Sequence, residues 1–181
     1  MPKTRSRHVA LLRGINVGTA KRVAMADLRA LVEGLGYGDV RTLLNSGNVV
    51  FTASGSVAGA AERIRKTMAA RLGVDARVTV IAAEELADAL DANPLGKHLK
   101  EPARFLVTVL ADAGDRKKLL PLAKQDWKPE GFAVGARVAY LGCAPNILDS
   151  PLAKAVGKAL GDGATSRNWT TMTKLRALAE G

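Results

Sequence analysis

The stretch NSGNVVF, residues 45–51, decides how the first half of the chain folds. Ser46 and Gly47 are residue types that tight turns favour. The runs on either side of them, Val40–Leu44 and Asn48–Thr52, are apolar and short, as in strands. Two such runs joined by a two-residue turn predict an antiparallel hairpin. It is the most compact hairpin signal in the chain.

Helices and strands on both sides of this hairpin complete a βαββαβ order. Before it, the apolar run His8–Arg13 predicts a buried strand, and Met25–Leu35 has the apolar spacing of an amphipathic helix. After it, Ala58–Leu72 predicts a second helix that ends at a glycine, and Arg77–Ile81 predicts a fourth strand. The first half therefore has the element order of one ferredoxin-like module.

The second half repeats this order after a short predicted helix at Glu84–Leu90. The predicted elements are a strand at Arg104–Leu110, a helix at Asp115–Lys124, a hairpin of Gly131–Val134 and Arg137–Leu141, a helix at Pro151–Leu160 capped by Ser150, a strand at Ala164–Arg167 and a helix at Thr170–Glu180. The sequence thus predicts an α+β fold of two ferredoxin-like βαββαβ modules in tandem with extra helices. Residues 1–83 form the first module, and residues 84–181 hold the connecting helix, the second module and the terminal helix.

The charge of the chain is basic and unevenly placed. The 181 residues carry a formal net charge of +10. Residues 1–22 contain six cations and no acidic residue: Lys3, Arg5, Arg7, Arg13, Lys21 and Arg22. Such a field favours a polyanionic partner, and the alternative is a basic segment whose charge serves no partner. Residues 2–6 hold no apolar side chain, so this segment is predicted to lie outside the core.

The cysteine content and the length of the apolar runs indicate the cellular compartment. A single cysteine, Cys143, excludes a disulfide framework and fits a reducing cytoplasm. The longest apolar run near the N-terminus, Val9–Leu12, is too short for a signal-peptide core or a membrane span. We therefore expect a cytoplasmic protein with no membrane association.

Polar residues are predicted to meet where the first strand ends. In a βαββαβ sheet the first strand lies beside the third, so its exit and the hairpin share one edge. Residues expected at this edge are Arg13, Asn16, Ser46 and Asn48, around Gly14, Gly18 and Gly47. Arginine offers a forked donor for phosphate or carboxylate, asparagine adds amide donors, and glycine exposes backbone N–H groups. The alternatives are plain turn chemistry for the hairpin residues and a surface ion pair for Arg13.

Four segments in this order, LLRGINVG, MADLRALVEGLGY, NSGNVVF and TSRNWTTMTKL, resemble the bacterial DUF1697 family. The resemblance implies a duplicated ferredoxin-like α+β protein of unassigned biochemical role. The family's signature falls on Arg13, Gly14, Asn16, Gly18, Ser46, Gly47, Asn48, Thr165, Arg167, Asn168 and Trp169. The chain departs from the family at Thr19, usually glycine, at Asn45, commonly glutamine, and at residues 144–149, which lack the usual glycine-rich form.

The terminal segment TSRNWTTMTK, residues 165–174, combines a helix start with polar residues. One of the threonines or Asn168 is expected to cap the helix. Trp169 is expected to pack into the core, leaving Arg167 and Asn168 to point outward. A cation beside the positive end of a helix dipole favours a bound anion, so we expect these residues and Arg13 to close one anion site.

Catalytic and metal chemistry is not evident in the sequence. The two histidines, His8 and His98, are far apart and have no cysteine or paired carboxylate nearby in the sequence, so neither a zinc site nor a cofactor is predicted. No nucleophile elbow, Walker loop or dinucleotide motif occurs. Aromatic residues make up 4% of the chain, which argues against bases stacking on a sheet face.

The preferred hypothesis is a protein that binds a phosphate-bearing ligand, a nucleotide or a nucleic-acid backbone, at the Gly/Asn/Arg edge. One alternative is an enzyme acting on a phosphorylated metabolite, with a general base that the sequence does not place. The other is a structural or partner-binding module in which the signature residues join the two halves.

Overall fold

The computed structural model describes residues 4–19 and 21–181. They form a mixed α+β protein with two four-stranded antiparallel sheets. The chain divides into two compact units: unit 1 comprises the residues up to Leu86 together with Leu175–Gly181, and unit 2 comprises Ala87–Lys174. Compactness is a property of contacts rather than of independent folding, so the module boundary at residues 83 and 84 stays a prediction.

Unit 1 contains one sheet and the helices that cover one of its faces. Its elements are β1 (Ser6–Leu12), α1 (Met25–Gly34), β2 (Gly38–Leu43), β3 (Asn48–Ala53), α2 (Val57–Leu72) and β4 (Val78–Ala82). The strands are arranged in the order β2-β3-β1-β4, as the hairpin and the crossover predicted. Ser56 caps α2 by accepting a hydrogen bond from the Gly59 N–H at 3.0 Å, and Gly73 ends the helix in the left-handed conformation.

The core of unit 1 lies between one sheet face and the two helices. Ala10 and Leu12 of β1 and Phe51 of β3 pack with apolar side chains of α1 and α2, including Leu28 and Ile64. The opposite face of the strands is also buried, with Val9, Leu11, Val50 and Ile81 all nearly inaccessible. Strands that are buried on both faces have continuous apolar runs, as the sequences of β1 and β3 do.

Unit 2 repeats the strand order with a different helical layer. Its elements are 3₁₀ helices at Gly96–Lys100, Pro102–Arg104 and Ala113–Lys118, with β5 (Phe105–Leu110), α4 (Leu120–Ala123), β6 (Gly131–Val134), β7 (Val138–Gly142), α5 (Pro151–Leu160) and β8 (Ala164–Asn168). The sheet order is β6-β7-β5-β8. Leu110, Leu141, Leu152 and Val156 belong to its core. Helices α3 (Ala83–Asp91) and α6 (Trp169–Glu180) each have residues in both units.

The predicted helix at Asp115–Lys124 is wrong as one continuous element. The segment forms a 3₁₀ helix at Ala113–Lys118 and then the four-residue α4. Pro121 explains the break, because its ring has no N–H to bond a preceding carbonyl and clashes with the turn before it. Within α4 the proline occupies the first turn, where an N–H has no helical partner in any case.

The N-terminal segment is described from Thr4 onward, so the prediction for residues 2 and 3 lies outside the described residues. Thr4 and Arg5 are exposed, as expected for a segment outside the core. The strand begins at Ser6, two residues earlier than predicted. The two added residues pair with β3, where Ser6 lies opposite Ala53 and Arg7 opposite Thr52. The Arg7 guanidinium also donates to the Ala179 carbonyl oxygen at 2.6 Å.

Candidate functional site

The end of β1, the β2–β3 hairpin and the start of β4 meet at one end of the unit 1 sheet. The Leu12 N–H donates to the Gly47 carbonyl oxygen at 2.8 Å, and the Arg13 N–H donates to the Arg77 carbonyl oxygen at 2.9 Å. We call this region the loop end and define it as residues 13–19, 21–23, 44–47 and 75–77. Strand register places Asn48 opposite Leu11, so the end of β1, which Arg13 follows directly, lies beside the start of β3.

Asn16 joins the segment that follows β1 to the β2–β3 hairpin. Its amide nitrogen donates to the carbonyl oxygens of Val23 and Asn45, both at 2.8 Å, and its side-chain oxygen accepts from the Val23 N–H at 2.8 Å. The residue adopts a positive φ of 54°, which asparagine tolerates better than most residues. These bonds give Asn16 a structural role, and ligand contact by it stays a prediction.

Asn48 and Gly47 fix the hairpin from the inside. The Asn48 side chain is fully buried and donates to the Leu43 carbonyl oxygen at 2.7 Å and to Ser46 Oγ at 3.0 Å. Gly47 has a φ of 88°, and a Cβ there would come within 2.8 Å of Leu12 Cβ and within 2.7 Å of the Ile15 side chain. The turn chemistry that the sequence left open as an alternative is therefore present at this hairpin.

Basic side chains lie on the outside of the loop end. Arg13, Lys21, Arg22 and Arg77 are all exposed. Asp75 lies among them, and its carboxylate is bonded to the Arg65 guanidinium at 2.8 and 3.2 Å. That bond, reinforced by the charges of Arg65, Lys21 and Arg77, holds the pKa of Asp75 below its usual range. The asparagines thus shape the loops while the cations project from them. Gly14 and Gly18 are exposed on the same loop.

The terminal signature residues lie in unit 2. Thr165 is buried on β8, opposite Val109. Arg167 is half-buried opposite Val107, donates to the Ser166 carbonyl oxygen at 3.0 Å, and its pKa is lowered by burial to about 10. It is therefore less exposed than the sequence predicted. Arg13 belongs to unit 1, so a joint site of Arg13 with the terminal segment stays a prediction.

Asn168 is the residue that caps the terminal helix. Its side-chain oxygen accepts the Thr171 N–H at 2.9 Å, while Thr170 is exposed. Trp169 is half-buried and contacts the buried Phe105 ring edge to face, with centroids 5.5 Å apart. The cap and the tryptophan contact set the direction of this segment, and both fit the roles expected of them.

A pocket in unit 2 was missed by the sequence reasoning. It has a volume of about 180 Å³ and is lined by Lys97, His98, Lys100, Glu101, Arg104, Pro129, Gly142, Cys143 and Ala144. We call it the basic pocket. Its histidine and its cysteine, His98 and Cys143, are far apart in the sequence, so no local pattern pairs them. The cations close together at 97, 100 and 104 were the signal that could have marked it.

Cys143 is buried beside a second polar cluster. Burial raises the pKa of the Cys143 thiol, and the charge of Glu130 adds to that rise while a hydrogen bond with Ser150 opposes it. Glu130 accepts hydrogen bonds from Ser150 Oγ and from the N–H groups of Ala144 and Leu152, the latter two at 3.2 Å. Ser150 also caps α5, as predicted. This cluster ties the segment before α5 to the strand end.

Within residues 4–19 and 21–181, no group of three or more His, Cys, Asp or Glu side chains is placed to hold a metal ion. No helix in these ranges has both the length and the apolar character needed to cross a bilayer.

Comparisons with known proteins place the chain without giving it a role. A family model described as a protein of unknown function, DUF1697, matches residues 5–140. A solved structure of the conserved bacterial protein SP0830 from Streptococcus pneumoniae superimposes with a TM-score of 0.77 at 23% sequence identity, covering 97% of this chain and 99% of that one. At that identity the likeness concerns the fold alone. No curated protein matches the chain.

Proposed function

This chain belongs to the DUF1697 family, and from that premise we propose that it binds phosphate groups at the loop end of unit 1. The proposal rests on one observation: several cations are exposed on loops that the hydrogen bonds of Asn16 and Asn48 hold in place. Arg13 and Arg77 are held side by side by the backbone bond between them. Lys21 is close enough to Asp75 to act on its carboxylate. Fixed cations bind anions with a smaller entropy cost than mobile ones.

The occupant that we propose is the phosphate backbone of a nucleic acid. The cations of the loop end are exposed on loops, and such side chains suit an extended polyanion that crosses the surface better than a small molecule that must be enclosed. The aromatic ring of the central strands, Phe51, is fully buried and takes no part in base stacking. We therefore expect binding that depends strongly on salt and weakly on sequence.

We further propose that each sheet with its helices is a ferredoxin-like module, because both sheets have the strand order of that fold. We also propose that the protein is cytoplasmic, because a reducing compartment suits a chain with a single thiol and contains the proposed nucleic-acid partner. An enzyme acting on a phosphorylated metabolite and a structural module are the alternatives, and the binding experiment separates them.

Fluorescence anisotropy with a labelled single-stranded oligonucleotide tests the proposal. The double variant Arg13→Ala/Arg77→Ala should bind at least about tenfold more weakly, because each phosphate contact by a cation contributes more than about 1 kcal/mol. The slope of log K against log salt should fall by about one for each arginine removed. Melting temperatures of all variants establish that the fold is intact.

Arg63→Ala is the matched control. Arg63 is an exposed arginine of unit 1 that lies over the Tyr37 ring and donates to the Leu35 carbonyl oxygen at 3.2 Å, near the end of the sheet where β2 begins. Its removal takes away one of the two positive charges that the double variant loses, from a position outside the loop end, and should leave the affinity nearly unchanged. Equal losses in Arg63→Ala and in the double variant would show a nonspecific charge effect, and no oligonucleotide binding at low salt would reject the proposal.

A further inference from the structure

The basic pocket of unit 2 has the charge of an anion site. Lys97, Lys100 and Arg104 line it, against one acidic residue, Glu101. Glu101 already lies 3.5 Å from the Arg104 guanidinium. Arg104 also donates to the Pro145 carbonyl oxygen, so its guanidinium is held in place from two sides. The remaining charge of the pocket is positive and comes from residues that follow one another closely along the chain.

His98 lies against a pair of glycines that make room for its ring. Gly131 and Gly142 are directly opposite each other on β6 and β7. A Cβ on Gly142 would lie 2.6 Å from His98 Nδ1, and one on Gly131 would also overlap the ring. The two strands therefore carry no side chain where the imidazole lies. The imidazole of His98 fills the space that the two glycines leave open. It forms one wall of the basic pocket and adds a polar ring nitrogen to the lining.

A second, larger cavity adjoins the basic pocket. It has a volume of about 560 Å³ and shares Pro129 and Ala144 with the basic pocket as lining residues. Trp127 and two further prolines, Pro145 and Pro151, supply apolar surface. The Trp127 indole is fixed by its hydrogen bond to the Leu122 carbonyl oxygen at 2.8 Å. We call this cavity the tryptophan pocket.

The charges of the tryptophan pocket are opposite in sign to those of its neighbour. Three carboxylates line it, Asp126, Glu130 and Asp149, against Lys128 alone. A ligand with negative charge along its whole length would be repelled there. A ligand with one anionic end and an uncharged body matches both pockets.

We propose that unit 2 binds a small phosphate monoester, with the phosphate in the basic pocket and an aromatic or apolar body in the tryptophan pocket. The basic pocket holds a group of phosphate size, and the cations there donate to its oxygens. The body of the ligand packs on Trp127 and the prolines, as in small-molecule sites that combine apolar walls with a few polar groups. This site is separate from the loop end and does not depend on the proposed function.

Isothermal titration calorimetry with three probes tests the proposal: phenyl phosphate, inorganic phosphate and phenol. Phenyl phosphate should bind about tenfold or more tightly than inorganic phosphate, because burial of an aromatic ring contributes more than about 1.4 kcal/mol. Phenol should bind too weakly to measure. Equal affinity for phenyl phosphate and inorganic phosphate would overturn the role of the tryptophan pocket, and equal affinity for phenol would overturn the anion site.

Variants locate the site. Lys97→Ala/Lys100→Ala removes two exposed cations of the basic pocket and should weaken phenyl phosphate about tenfold or more. The control Lys117→Ala/Lys124→Ala removes the same charge from exposed positions of unit 2 that line neither pocket, and should bind as the parent does. Equal weakening in both double variants would overturn the proposal. The variant Arg13→Ala/Arg77→Ala should bind phenyl phosphate normally, which separates this site from the loop end.

A spectroscopic readout reports on the body of the ligand. The indole N–H resonance of Trp127, assigned against the Trp169→Phe variant, should shift on titration with phenyl phosphate and stay in place with inorganic phosphate. In the Arg13→Ala/Arg77→Ala variant, which lacks the arginines of the loop end, a short oligonucleotide with a terminal phosphate should bind more weakly than phenyl phosphate, because its other phosphates meet the carboxylates of the tryptophan pocket. Tighter binding of the oligonucleotide would show that the site is made for a polyanion and would overturn the monoester assignment.

Discussion

The two units share a strand order but place the cations of the two proposed sites at opposite ends of their sheets. In unit 1 the exposed arginines Arg13 and Arg77 lie where β1 ends and β4 begins. In unit 2 the cations of the basic pocket precede β5, the strand that corresponds to β1. Repetition of the strand order has therefore not repeated the placement of these cations. Loops and short helices, which differ between the two sheets, determine where the cations lie.

The hairpins show the difference residue by residue. In unit 1 the Leu12 N–H bonds to the Gly47 carbonyl oxygen, and in unit 2 the Leu110 N–H bonds to the Arg137 carbonyl oxygen at 3.0 Å. Gly47 thus corresponds to Arg137. The glycine lets Ile15 fold over the hairpin, whereas the arginine turns back and donates from Nε to the Leu110 carbonyl oxygen at 2.7 Å. At this pair of corresponding positions, unit 1 uses close packing and unit 2 uses a side-chain hydrogen bond.

The largest effect should come from Gly47→Ala. The methyl group would overlap Leu12 and Ile15, and the residue would keep a φ of 88° that alanine disfavours. Strain of about 1–2 kcal/mol for the backbone and about 1–3 kcal/mol for overpacking predicts a loss of about 3 kcal/mol or more. Urea denaturation measures it as a fall in the free energy of unfolding.

Two variants sharpen this prediction. Gly14→Ala also has a positive φ, 70°, but its methyl group would meet no atom within 4 Å, so it should cost only about 1–2 kcal/mol. Arg137→Ala at the corresponding position of unit 2 should cost about 1 kcal/mol, the value of its hydrogen bond. If all three lost the same stability, the packing argument for the unit 1 hairpin would be wrong.

Asn48→Ala should have the next largest effect. It takes away the amide donor that lies 2.7 Å from the carbonyl oxygen of half-buried Leu43, and an acceptor that loses its partner away from water costs about 1–3 kcal/mol. We expect a loss of about 2 kcal/mol in urea denaturation. Ser46→Ala removes only the acceptor of the weaker bond at an exposed position and should cost less than about 1 kcal/mol. A neutral Asn48→Ala variant would show that water replaces the amide.

A smaller effect should follow from pH. His8 is buried in unit 1 beside Phe51, with Nδ1 lacking a hydrogen-bond partner, and burial lowers the pKa of its imidazole from 6.5. The unfolded chain therefore takes up a proton at a higher pH than the folded chain. The stability from neutral His8 is complete above pH 6.5 and is lost as the pH falls below it.

The comparison of wild type with His8→Leu isolates this contribution. Urea midpoints at pH 7 and pH 5 should differ more in the wild type than in the variant, because every other titrating group is common to both. Equal pH dependence of the two proteins would mean that His8 titrates alike in the folded and unfolded chains.

The sequence predicted most of the regular structure because local signals determine it. Ser150 and Pro151 marked the start of α5, and residues 45–48 marked the hairpin, since caps and turns depend on residues that are close in the sequence. The basic pocket was not predictable in the same way. Its wall depends on His98 lying across Gly131 and Gly142, and glycines at strand ends have no distinctive pattern. The roles of Asn16 and Asn48 were also hidden, because an asparagine that binds backbone resembles one that binds a ligand.

The smallest effect concerns the start of α6, where the sequence offers several residues as the N-terminal cap of the helix. Four N–H groups at a helix start lack helical partners, and one side-chain acceptor contributes about 1 kcal/mol. The sequence favoured a threonine or Asn168, and the structure assigns the bond to Asn168 through the Thr171 N–H.

Asn168→Ala should therefore lower the free energy of unfolding by about 1 kcal/mol. Thr170→Ala, at an exposed position one residue into the helix, should change it by less than about 0.5 kcal/mol. Asn168→Asp keeps the acceptor and should restore the stability that alanine loses, since a negative charge suits this end of the helix. The reverse order, with Thr170→Ala the more damaging, would move the cap to the threonine and leave the Asn168 side chain available for the anion site that the sequence predicted.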